Sequence, residues 1–141
     1  MTDATTPLNP EKENNVELES LRDALGQHKV TDKLAPTWMP EGYICKELRV
    51  VETPRVLDIY AIYEKDGSEL VIKICQTIGV QADQVEKNDD LLEVYTVDGV
   101  EYYIFSNTET LQVAWSIGEF ECLMIGKITL EEIKTMIDSI K

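Results

Sequence analysis

Between residues 43 and 125 the chain falls into seven short apolar runs, 43–51, 56–64, 69–78, 91–97, 100–106, 111–117 and 120–125, separated by polar turns. Runs of this length, rich in Val, Ile, Leu and Tyr, predict β-strands. Three separators read Asp66-Gly67, Asp98-Gly99 and Gly118-Glu119. Such pairs favour tight turns with positive backbone angles, so successive strands are predicted to pair antiparallel as a meander. Leu111, Val113, Trp115 and Ile117 alternate with Gln112, Ala114 and Ser116, which gives that strand one wet side. In the third run Leu70, Ile72, Ile74 and Ile78 share one face and Val71 and Cys75 the other. That pattern suits a central strand covered on both sides.

The period changes at both ends of the chain. From Val16, Leu18, Leu21 and Leu25 recur at helical spacing; Asn14 stands where a cap would, Glu17 in the capping-box position, and Gly26 is the expected stop. His28 then falls in the exit turn, where a solvated or capping role is expected of it. Near the C-terminus Thr129 and Glu132 spell a capping box ahead of Leu130, Ile133, Ile137 and Ile140. That stripe must bury against a sheet face, the only large apolar surface the pattern supplies.

Between the first helix and the strands lies Pro36-Thr-Trp-Met-Pro-Glu-Gly-Tyr43. Two prolines forbid a helix and extend the residues before them. Trp38, Met39 and Tyr43 therefore form an apolar plug across one end of the core, with Trp38 as an exposed binding anchor the competing reading. The expected fold is α+β: an antiparallel meander sheet of about six or seven strands, with an N-terminal helix and a C-terminal helix packed on a sheet face. Residues 1–14, rich in Thr, Pro, Asn and charge, read as a disordered lead or linker, and residues 15–141 as one α+β domain.

Charge narrows the partners. The net charge is −14, and residues beyond position 35 hold twenty acids against nine bases, so the body itself is acidic. Such a field repels phosphate backbones and anionic headgroups, which argues against nucleic acid and against a membrane surface. No run reaches the ~18 apolar residues of a spanning helix, so no direct membrane insertion of this chain is expected, and a monomer or dimer is. The three cysteines, Cys45, Cys75 and Cys122, are widely spaced in apolar runs. They read as structural thiols, with a single pair still open if two strands prove adjacent.

Candidate chemistry is thin. One histidine, no Gly-x-Ser-x-Gly, no phosphate-cradling glycine loop and no zinc spacing leave no catalytic residue, metal site or cofactor to name, so a non-enzyme is expected. Glu131 and Glu132 are adjacent on a helix and diverge. The acidic loop at 81–90 lacks the spacing of a calcium loop. Trp38, Tyr43, Tyr60, Tyr95 and Tyr102 form the candidate interaction surface for a protein or small-ligand partner, set against the plainer reading of tyrosines at core edges.

Taken in order, the helical leucines at 18–25, Leu34-Ala-Pro-Thr-Trp-Met-Pro-Glu-Gly-Tyr43, Trp115 with Gly118, Gly126-Lys-Ile-Thr-Leu-Glu-Glu-Ile133 and a closing Ser139-Ile140 make the chain similar to an uncharacterised Firmicutes domain family. The likeness covers about residues 16–141. Its members sit at the C-terminal, extracytoplasmic end of membrane-anchored proteins, some of them anti-sigma-factor-like. The resemblance implies a non-enzymatic sensing or protein-interaction module outside the membrane, tethered by an anchor upstream of these residues. The alternative is a small acidic cytoplasmic chaperone or inhibitory partner-binding protein.

Overall fold

Asp66 and Gly67 take φ of 50° and 83°, and Asp98 and Gly99 φ of 52° and 82°. These are the paired positive angles of a two-residue hairpin. The computed structural model describes residues 16–30, 34–77, 91–106 and 108–140. The strands are β1 (Ile44–Glu52), β2 (Val56–Lys65), β3 (Ser68–Thr77), β4 (Leu91–Val97), β5 (Val100–Ser106), β6 (Leu111–Ile117) and β7 (Phe120–Gly126). They form one seven-stranded sheet in the order β1-β2-β3-β7-β6-β5-β4, antiparallel throughout.

Two meanders, β1–β3 and β4–β7, thus join along β3 and β7. A meander of successive strands would make β3 and β4 neighbours at the middle of the sheet, joined by the 81–90 loop. Instead β3 is central and β4 is the outer strand, with three strands between them. Local turn chemistry specifies hairpins but is silent on which meander edges meet. The loop itself, like Asn14 and Ile78, lies outside the described residues.

One face of the sheet carries the core. The register aligns Val50, Ile59, Ile74, Cys122 and Trp115 in a row, and the ring of Trp115 meets Tyr102, the cross-strand partner of Tyr95. On to this face pack Leu21, Ala24 and Leu25 of α1 (Glu19–Gln27) and Ile133, Met136 and Ile137 of α2 (Leu130–Asp138). The opposite face is not uniformly wet. Phe105 and Ala114 on it are 5% and 8% exposed, so the wet side predicted for β6 is broken at Ala114, while Gln112 is half-buried and Ser116 exposed. Val71 and Cys75 are half-buried there, in keeping with a central β3.

The C-terminal cap forms as predicted. Thr129 Oγ1 accepts from the Glu132 amide at 3.1 Å while Glu132 Oε1 accepts from the Thr129 amide at 3.0 Å. The three buried side chains of α2 contribute roughly 5–9 kcal/mol of apolar burial before entropy is counted.

The N-terminal helix departs from its prediction. A 3₁₀ turn at Val16–Leu18 precedes α1, and Leu18 caps it without a side-chain hydrogen bond. Glu17, expected in a capping box, sends its carboxylate to the Cys45 amide of β1 at 2.7 Å. Gly26 lies inside the helix, and Lys29, with φ of 63°, takes the left-handed turn beyond it. A lysine there costs less than the alternative, because the Val30 and Lys29 amides then close on the Leu25 and Gly26 carbonyls at 2.9 and 3.0 Å.

Residues 34–43 lock the two ends of the domain together. The Ser139 hydroxyl, just past α2, accepts from the amides of Thr37 at 3.0 Å and Trp38 at 3.1 Å and donates to the Met136 carbonyl at 2.7 Å. Thr37 Oγ1 returns a bond to the Ser139 carbonyl at 2.8 Å. An extended, proline-stiffened segment has no ladder partner of its own, so its amides need this foreign acceptor. Met39 is 1% exposed and Tyr43 6%.

Candidate functional site

The five candidate aromatics separate into three places. Trp38 is half-buried and packs against the core from the latched segment; Tyr43 is buried beside it, with Lys65 Nζ 5.8 Å from its ring centroid. Tyr95 and Tyr102 are direct cross-strand partners on the helix-bearing face. Tyr102 is buried against Trp115, ring centroids 5.3 Å apart, and burial pushes its phenol up to about 12. Tyr95 donates to Asp138 at 2.8 Å, a bond that raises its own pKa, and Lys134 Nζ stands 5.1 Å from its ring centroid.

Tyr60 is on the opposite face. Its register partners Arg49 and Lys73 flank it, each cation 5.7 Å from the ring centroid. Such contacts are worth about 0.5–1 kcal/mol at exposed sites. Arg49 is also paired with Glu47.

Burial, not activation, governs the thiols and phenols of the core. Desolvation drives the Cys122 thiol and the Tyr63 phenol strongly upward, and Cys45 upward with help from the Glu17 carboxylate. No disulfide joins the cysteines. Cys122 pairs with Ile74, the residue before Cys75, so the two sulfurs point to opposite faces. Tyr63 Oη and Trp115 Nε1 are buried with no hydrogen-bond partner. His28 leaves α1 half-buried, its Nδ1 3.0 Å from Glu52 Oε1.

An open cleft of about 400 Å³ lies at the start of β1, lined by Gly42, Ile44, Lys46, Glu64, Lys65 and Asp66. Its charges are mixed, and Lys46 is already paired with Glu69 at 3.3 Å. Among the described residues, no group of three or more His, Cys, Asp or Glu side chains could hold a metal ion, and no helix is long and apolar enough to cross a membrane.

The sheet edges were missed by sequence reasoning. Among the described residues the exposed large hydrophobics are Ile44 at 62% and Val51 at 49% on β1, and Leu92 at 53% and Val94 at 40% on β4. All four are on the two outer strands. Each outer strand also carries a bulge, between Cys45 and Glu47 and between Leu91 and Glu93. A bulge locally disrupts pairing. The two edges differ in chemistry: β1 has four charged residues in nine and β4 one in seven. That contrast was available in the sequence, but only the strand order reveals which runs are edges.

No curated protein and no solved structure matches the chain. A family model described as a domain of unknown function, DUF4367, matches residues 33–140, the span from the latched segment through all seven strands to the end of α2. The chain belongs to the DUF4367 family.

Proposed function

We propose that this chain is a non-enzymatic sensing or protein-interaction module that works outside the cytoplasm as part of a membrane-tethered protein. The observation that carries the interaction reading is the placement of Ile44, Val51, Leu92 and Val94, exposed apolar side chains confined to the two outer strands. Outer strands are where a sheet meets another chain. The non-enzymatic reading is supported by the core thiols and phenols, whose pKa values are pushed away from reactivity, whereas catalytic nucleophiles are shifted the other way. The tethered placement rests on the resemblance through Trp38-Met-Pro-Glu-Gly-Tyr43 and on the stalk-like composition of residues 1–14.

Two measurements in cells making the native protein test this. A membrane-impermeant maleimide should label a cysteine placed at the exposed turn residue Arg55 (Arg55→Cys) before lysis; labelling only after lysis would move the protein to the cytoplasm. A photoreactive side chain placed in turn at Ile44, Val51, Leu92 and Val94 should give a discrete adduct with another protein. Adducts from none of the four would refute the interaction reading.

A further inference from the structure

The geometry points to the β4 edge as the docking strip, and to an extended, basic segment of a partner protein as its occupant, added as an eighth strand. This inference rests on the interaction reading and gives it a site and a partner chemistry. The side chains of β4 that share the core face are engaged with α2: Glu93 Oε2 is 2.8 Å from Lys134 Nζ, and Tyr95 donates to Asp138. Those on the other face, Val94 and Thr96, are exposed and uncharged, as is Leu92 at the bulge. Beyond the bulge, Glu93 to Val97 pairs regularly with β5, and no described strand lies on its outer side.

The other edge is guarded. The Glu17 carboxylate takes the Cys45 amide, and Lys46, Glu47, Arg49 and Glu52 charge β1 along its length. Charged side chains are a common means of blocking strand addition. Among the described residues nothing comparable guards β4 past its bulge.

Charge around β4 selects the partner. Glu93 lies on the strand, Asp98 in its turn, Glu101 opposite Thr96, and Asp138 on the Tyr95 hydroxyl; Lys134 is the cation paired among them. On the helix-bearing face two carboxylates, Glu93 and Asp138, stand against the one ammonium of Lys134, which favours a strand whose residues on that face are Lys or Arg. Its intervening residues should be β-branched and apolar, to lie beside Leu92 and Val94. A second copy of this chain, itself at −14, would meet repulsion here instead.

The test is amide NMR of the full 141-residue chain titrated with a synthetic peptide of alternating valine and lysine. Shifts should concentrate on Glu93 to Val97. They should vanish when alternate peptide amides are N-methylated, and Val94→Lys should weaken binding about fivefold, the scale of one apolar cross-strand pair lost. Val51→Lys on β1 should leave binding unchanged. Shifts spread over the acidic surface and indifferent to N-methylation would overturn the inference, as would no shift at millimolar peptide. So would a two-chain species in sedimentation that Val94→Lys dissolves, since the occupant would then be a second copy. An in-cell adduct at Leu92 that survives Val94→Lys sinks this inference alone, whereas adducts from none of the four positions sink the interaction reading itself.

Discussion

Replacing Ser139 with alanine tests whether the latch between the proline segment and α2 holds the domain closed. One hydroxyl serves three groups there, accepting from Thr37 and Trp38 and donating to Met136. Alanine leaves the Trp38 amide without its acceptor in a part-buried setting. The Thr37 amide keeps a longer contact to the Ser139 carbonyl at 3.3 Å. One orphaned donor costs about 1–3 kcal/mol and a weakened one less, so the expected loss is about 2–3 kcal/mol. In a domain of this size that lowers Tm by roughly 6–12 °C, measured by circular dichroism. Trp38 fluorescence should also shift toward that of a solvated indole before the sheet melts. Thr37→Val removes only the return bond to the Ser139 backbone carbonyl, a bond that Ser139→Ala leaves in place, and should cost about 1 kcal/mol. A Ser139→Ala variant within 0.5 kcal/mol of the parent, a surface-like value, would refute the latch.

Three other outcomes are expected. Ile137→Asp should abolish the folded state, because a carboxylate would occupy a position 1% exposed among Ile133, Met136 and the sheet; a native-like melting curve would remove α2 from the core. Tyr63→Phe should be neutral or stabilising by up to about 1 kcal/mol, since the buried hydroxyl it removes has no partner; a loss in denaturant titration beyond that range would show that the hydroxyl is satisfied. Stability should be level through neutral pH and fall under alkaline conditions. Cys122, Tyr63 and Tyr102 have folded-state pKa values raised above their ordinary 9.0 and 10.0, so the unfolded chain loses its protons first. The decline should begin near pH 9 and steepen above 10, each group adding about 1.4 kcal/mol per pH unit. Cys122→Ala should delay the onset in denaturant titrations taken at stepped pH.

Most of the fold was legible because it is built from local signals. Asp-Gly turns, a capping box at Thr129 and Glu132, and period-two runs each specify their structure over a few residues. The errors arose where a long-range partner outcompeted the local one. Glu17 had a capping position open to it, yet its carboxylate satisfies the Cys45 amide, which the edge of β1 would otherwise leave exposed. Ala114 reads as a wet position beside Gln112 and Ser116 but is buried. Neither outcome can be computed from spacing, because each depends on elements far apart in the chain.

The same reasoning explains why the candidate site was the least legible feature. An aromatic count selected Trp38, Tyr43, Tyr60, Tyr95 and Tyr102, and residue type alone cannot separate a stacked core ring such as Tyr102 from a half-exposed one such as Tyr60. The stronger signal is the scarcity of charge on β4, one residue in seven, and it carries meaning only once that strand is known to be an edge. In the middle of the sheet, Leu-Leu-Glu-Val-Tyr-Thr-Val would be ordinary core sequence; at the boundary, the same residues leave Leu92 and Val94 in water. The jump from β3 past three strands to β4, a connection the turn chemistry did not specify, therefore gives those side chains their exposure.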